Sequence, residues 1–172
     1  PEQIMAVTFT NKAANEMVER LSKLIGEENS KKLWVGTFHS IAGRILRYDI
    51  DKYKDSEGNF WSKNYVIYDE QDSLNILKQA IKNFDDMLVL AVKLLENNEE
   101  VRNKYFNRFK HLLIDEFQDT NLSQYRLIKT IYANNLPENN IPKDKSLCVV
   151  GDIDQSIYSW RGADFRILLN FQ

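Results

Sequence analysis

Two apolar runs, each ending in a cluster of polar and acidic residues, constrain this chain more than anything else in it. The first is Leu112-Leu113-Ile114, followed by Asp115-Glu116-Phe117-Gln118-Asp119-Thr120-Asn121. The second is Leu147-Cys148-Val149-Val150, followed by Gly151-Asp152-Ile153-Asp154-Gln155-Ser156-Ile157-Tyr158-Ser159-Trp160-Arg161-Gly162-Ala163-Asp164. A short apolar run bounded by turn residues reads as a buried strand, and open α/β sheets hold their ligands at the carboxyl ends of such strands. Asp115 and Glu116 are therefore expected at a ligand edge. One carboxylate there can hold Mg²⁺ and the other can accept a proton from water. Tyr158, Trp160 and Arg161 follow the second run closely, a combination suited to stacking on bases and pairing with phosphate.

The remaining chain repeats the same rhythm. Ile4 to Thr8 reads as a strand, and after a polar turn at Thr10-Asn11 the apolar positions Ala14, Met17, Val18, Leu21 and Leu24 recur at helical spacing until Gly26. Leu33 to Thr37 reads as a second strand. Phe38, Ile41, Ala42, Ile45 and Leu46 then mark one face of a helix and leave Arg44 and Arg47 for another face. A third strand at Leu112 to Ile114 precedes a helix over Leu122 to Tyr132, and a fourth strand covers Leu147 to Val150. Repeated β-α units imply a parallel, right-handed, doubly wound sheet.

The stretch 49–109 breaks that rhythm with a polar loop, Asp55-Ser56-Glu57-Gly58-Asn59, and then helical periodicity at Leu74, Leu77, Ala80 and Ile81 and at Phe84, Met87, Leu88, Ala91, Leu94 and Leu95. It is expected to be a helical subdomain inserted into the sheet domain formed by 1–48 and 110–172. With 172 residues the chain is long enough for one core and a small appendage. Its 23 basic and 25 acidic residues give a net charge of -2, so any nucleic-acid contact must be local. Cys148 reads as a buried small hydrophobe, and one cysteine excludes an internal disulfide. His39 and His111 have no partners at metal-ligand spacing, so nothing reads as a zinc site.

Residues 115–119 and 151–164 together resemble the UvrD/Rep/PcrA type of superfamily-one DNA helicase. That family's motif II reads Asp-Glu-x-Gln-Asp, and its motif III reads Gly-Asp-x-Asp-Gln-Ser-Ile-Tyr-x-Trp-Arg-Gly-Ala-Asp. Ala6-Val7-Thr8-Phe9-Thr10-Asn11-Lys12-Ala13-Ala14 is similar to its motif Ia, and Gly36-Thr37-Phe38-His39-Ser40 to the short DNA-contacting motif that follows. The resemblance spans nearly the whole chain and implies a RecA-like parallel sheet flanked by helices, of the P-loop NTPase type. In the family the inserted helical subdomain is longer, so Asn83 looks like a shortened point.

What the resemblance implies for individual residues is specific. Asp115 would bind the Mg²⁺ that accompanies ATP, through water, with Glu116 beside the metal orienting and deprotonating the attacking water. Gln155 would contact the γ-phosphate and share in catalysis. Tyr158, Trp160 and Arg161 would face DNA, as would Thr8, Phe9, Thr10 and Asn11 in motif Ia and Thr37, Phe38 and His39 in the next. From the residues alone Phe9 has a second reading, packed under its helix. In the family the Gln118-Asp119 part of motif II helps connect the nucleotide site to neighbouring motifs, while from the residues alone Asp119 and Asn121 read equally well as turn or helix-cap residues.

None of the six glycines precedes a lysine, so the phosphate-cradling Gly-x-x-x-x-Gly-Lys-Ser/Thr loop is not in these 172 residues. The expectation is a fragment of the first motor domain of an ATP-dependent 3′ to 5′ helicase, inactive in isolation, with ATP and Mg²⁺ as cofactors. Its partners would be single-stranded DNA, single/double-strand junctions and the remaining motor domains. Two alternatives stand beside it: the motor of a recombination helicase-nuclease, and a non-catalytic DNA-binding remnant. With no signal peptide and no long apolar span, the expected location is cytoplasmic, at the nucleoid.

Overall fold

The computed structural model describes residues 1–55, 57–62, 84–137, 140–152 and 154, with the backbone alone for 84–86. Four strands, β1 (Ile4–Thr8), β2 (Trp34–Thr37), β3 (His111–Ile114) and β4 (Ser146–Val149), form one sheet in the order β2-β1-β3-β4. Every pairing is parallel, with Met5 opposite both Trp34 and Leu112, and Leu112 opposite Leu147. The expected parallel α/β sheet is therefore present, and the strand bounds differ from those read in the sequence by one residue at β2, β3 and β4.

The helices begin and end where local chemistry satisfies their free backbone groups. In α1 (Asn11–Ile25) the Thr10 hydroxyl accepts from the Ala13 N–H at 3.1 Å, and Gly26 at φ 83° ends the helix while donating its N–H to the Ser22 carbonyl. A single turn, α2 (Glu27–Ser30), leads into β2. Thr37 ends β2 and caps α3 (Phe38–Asp49), accepting from the Ser40 N–H. Further on, α4 (Phe84–Asn97) is followed by α5 (Glu99–Arg108), capped by Asn98 with Glu99 and Glu100 favouring its positive end. A reciprocal box between Asn121 and Gln124 opens α6 (Leu122–Ala133), so Asn121 takes the cap role among its two readings.

One face of the sheet carries the core. Met5, Val7, Leu112 and Ile114 pack there with Ile41 and Ile45 of α3, Leu88, Ala91, Leu94 and Leu95 of α4, Val101 and Tyr105 of α5, and Leu127, Ile128 and Ile131 of α6. The periodic positions from Met87 to Leu95 thus form the expected helix. That helix packs into the same core as the sheet, so no gap in packing separates 84–109 from the strands. The periodicity at 74–81 and the point at Asn83 lie outside the described residues.

The buried acid of this core is paired. The Asp49 carboxylate, almost fully buried, accepts from Lys104 Nζ at 2.7 Å and from the Tyr105 hydroxyl at 2.7 Å, which offsets the cost of burying its charge. Tyr105 is consequently pushed well above the usual phenol range, by burial first and then by its bond to Asp49. Arg102 ties the end of α4 to the end of α6, donating to the Leu95 and Glu96 carbonyls and to Asn134 Oδ1.

The opposite face is covered only in part. Ala14 of α1 is buried on the side of Ala6 and Thr8, whereas Leu113 is 42% exposed and Val150 59%. Cys148 is also exposed, which corrects the expectation of a buried thiol. Along β4, Leu147 and Val149 turn toward the core while Ser146, Cys148 and Val150 turn away, and no described element covers them.

Candidate functional site at the carboxyl edge of the sheet

The parallel register brings the ends of the strands into one row. Thr8 lies opposite Thr37, Val7 opposite Ile114, and the Asp115 N–H continues the ladder by donating to the Val7 carbonyl at 3.0 Å. Asp115 and the first DNA-contact candidates thus share an edge although about a hundred residues separate them in sequence. Among the described residues no cluster of three or more His, Cys, Asp or Glu could hold a metal ion. A site for a hard cation would have to rest on Asp115 with ligand oxygens and water.

Glu116 stands in a left-handed conformation, φ 53° and ψ 40°, and opens a 3-10 turn over Phe117–Asp119. That region costs a non-glycine residue energy and persists only when its surroundings enforce it. Three bonds do so here. Glu116 N–H donates to Asp115 Oδ1 at 3.1 Å, Phe117 N–H donates to the Val150 carbonyl at 2.8 Å, and Gln118 Nε2 donates to Glu116 Oε2 at 2.7 Å. The result turns Glu116 to the surface beside a half-buried Asp115.

Gln118 joins the two apolar-run segments through its buried amide. Its Nε2 holds the Glu116 carboxylate and its Oε1 accepts the Asp152 N–H at 3.0 Å. This close approach needs Gly151, because a Cβ there would fall 2.6 Å from Gln118 Oε1 and 3.1 Å from Gln118 N. A glycine after a strand reads only as a turn, and for Gln118 the family resemblance alone suggests a connecting role, its partner Asp152 lying some thirty residues away. Asp119 is buried in the same turn.

The candidates for strand contact divide by exposure. Thr10 and Asn11 are exposed at the N-terminus of α1, where backbone N–H groups suit a phosphate. His39 is half-buried at the first turn of α3. Phe9 is half-buried and sets its ring edge-on to Phe38 at 5.3 Å, packed against the core as its second reading has it. Thr8, Thr37 and Phe38 are buried, and the Thr8 hydroxyl has no hydrogen-bond partner among the described residues. Gln155, Tyr158, Trp160 and Arg161 lie outside the described residues.

A parallel α/β sheet with paired acids at a strand's carboxyl end has the architecture in which ligands bind at that edge. The chain matches the family model described as the UvrD/REP helicase N-terminal domain over residues 1–83 and 80–172, and it belongs to that family. It is 32% identical, across its whole length, to the ATP-dependent DNA helicase PcrA of Staphylococcus aureus strain Mu50 and to that of Staphylococcus epidermidis strain ATCC 12228. In each comparison the chain spans 30% of the relative's length, and the aligned region runs over 232 residues against the 172 of this chain.

Proposed function

We propose that this chain is a motor segment of an ATP-dependent DNA helicase that moves 3′ to 5′ on single-stranded DNA and opens duplexes at single/double-strand junctions. The observation that carries the proposal is the Asp115-Glu116 pair at the carboxyl end of β3, with Glu116 held at φ 53° by Gln118 and the neighbouring backbone.

In this reading Glu116 takes the proton from the attacking water, and Gln118 keeps its carboxylate from turning away. Asp115, a single hard carboxylate whose Oδ1 also accepts the Glu116 N–H, fits a Mg²⁺ shared with phosphates and water rather than a closed protein cage. The ion would supply charge neutralisation to the phosphates. Gln155 senses the γ-phosphate, and the Gln118–Asp152 bond links its segment to the catalytic acid. Tyr158, Trp160 and Arg161 stack on and pair with DNA, while Thr10, Asn11 and His39 hold its backbone. Thr8, Phe9, Thr37 and Phe38 shape that edge from beneath or beside it.

The 172 residues contain no glycine followed by lysine, so the polypeptide by itself does not hydrolyse ATP, and the remaining motor domains complete the site. The longer aligned region in the PcrA relatives supports a shortened insertion near Asn83. Work on DNA places it in the cytoplasm in this reading; among the described residues no helix is long and apolar enough to cross a membrane. The test is unwinding by the intact motor of duplexes bearing a 3′ or a 5′ single-stranded tail. Unwinding of the 3′-tailed substrate alone, dependent on ATP, is expected; equal use of both tails contradicts the polarity, and DNA binding without turnover supports a remnant.

A further inference from the structure

The amino end of the sheet carries a surface that the motor reading does not use. Trp34 opens β2, Arg44, Arg47 and Tyr48 lie on α3, and Lys104 and Arg108 lie near the end of α5. Trp34 is 2% exposed. The guanidinium carbons of Arg44 and Arg108 stand 4.2 Å and 4.9 Å from the centre of its ring, and Tyr48 stacks on it at 6.3 Å with 29° between the planes. Arg47 is one helical turn from Arg44 and exposed.

Among the described residues three guanidiniums are thus gathered without an acid to answer them. Among the described residues no carboxylate comes within ion-pair distance of Arg44, Arg47 or Arg108. Asp49, a buried acid of this region, is already engaged by Lys104 and the Tyr105 hydroxyl. Burial first lowers the affinity of Arg44 for its own proton, with Tyr48 opposing and repulsion from Arg108 and Arg47 adding to the effect. In a chain of net charge -2, crowding like charges around one ring raises the energy of the free protein and favours an anion.

The groups left accessible choose among anions. Trp34 is too buried to receive a base or an apolar side chain, so the surface offers guanidiniums and the half-exposed Tyr48, whose hydroxyl can also donate. These are contacts that hold a phosphate backbone without reading sequence, and they lack the apolar pocket that anchors a peptide. We propose that Arg44, Arg47, Arg108 and Tyr48 form a second contact for a single nucleic-acid strand, through its phosphates, at the end of the sheet opposite the Asp115-Glu116 edge. This goes beyond the motor reading and does not require hydrolysis.

The test is fluorescence anisotropy of a labelled single-stranded oligonucleotide titrated with the chain at several salt concentrations. The paired variant Arg47→Gln/Arg108→Gln changes only exposed side chains, and a thermal melt confirms its fold. Its affinity should fall roughly 3- to 10-fold, and the slope of log K against log salt should shrink by about 1.4, the value for two lost phosphate contacts on a single strand. His39→Ala, at the other edge, runs in parallel. Unchanged affinity and slope in the pair, with weakening in His39→Ala, overturns the second contact and leaves the proposed function standing. Weakening in the pair with none in His39→Ala supports the contact and counts against the carboxyl-edge assignment. Displacement of the strand by a poly-glutamate peptide as effectively as by unlabelled oligonucleotide of equal charge overturns it in favour of an acidic protein segment, and no binding by the parent chain overturns the second contact while leaving the proposed function to the unwinding test.

Discussion

The same four strands present two unlike faces. Met5, Val7, Leu112 and Ile114 are at most 1% exposed beneath α3, α4, α5 and α6, while on the other face Leu113, Cys148 and Val150 stand open beyond the reach of α1. Leu112 and Leu113 are neighbours of one residue type, and the pleat alone sends one to the core and the other to the surface. Stability in the described residues therefore rests on one face. The other face is packed only where α1 covers Ala6 and Thr8, and the candidate site lies on the edge between them.

Paired truncations test that asymmetry most strongly. Leu112→Ala should cost about 2–5 kcal/mol, as for a buried leucine whose cavity cannot fully collapse, whereas Leu113→Ala should stay within about 1 kcal/mol. Denaturant melts of the two variants measure the difference; equal costs would show that the second face is also packed.

The packed side also predicts a pH response. Lys145 is buried at the start of β4, its ammonium donating to the Phe106 and Phe109 carbonyls at 2.5 and 2.8 Å, and burial first, then the neighbouring Lys110, pushes it down to about 8. Because the folded chain then binds fewer protons than the unfolded chain from about pH 8 upward, this residue makes stability rise until the unfolded lysine also titrates, near its ordinary 10.5. Tyr105 acts in the opposite sense above pH 10, since folding keeps its proton on. Melting temperatures across pH 7 to 10 should rise more in the parent than in Lys145→Met; identical profiles would remove Lys145 as the cause.

The smallest effect is expected at the open face. Cys148→Ser should change stability by no more than about 0.5 kcal/mol, and the native thiol should react with an aromatic disulfide reagent nearly as fast as the unfolded one. Protection of the native thiol would mean that this face is covered in solution.

How much of this was legible depended on whether the governing interaction is local. The strands and α1, α3 and α6 follow from apolar period and caps, all decided within a few residues, and α4 from Leu88, Ala91, Leu94 and Leu95 recurring on one face. Cys148 misled because four successive apolar residues read as a strand buried on both faces, while the burial of β4 depends on elements far away in sequence. At the site, the run ending in Asp115-Glu116 announced the edge, and motif resemblance supplied roles. The positive φ of Glu116 has no signature in its side chain, and the Gln118–Gly151 approach is set only when β3 and β4 pair.

Glu116 as the base that deprotonates water is tested most directly by Glu116→Gln in the intact motor. The amide keeps the shape and can still accept from Gln118, so nucleotide binding should persist within a few-fold, while single-strand-stimulated hydrolysis should fall by about 10² or more. Turnover within a few-fold of the parent, with the fold and nucleotide affinity intact, would contradict that assignment and the reading of the Asp115-Glu116 edge as the hydrolytic site.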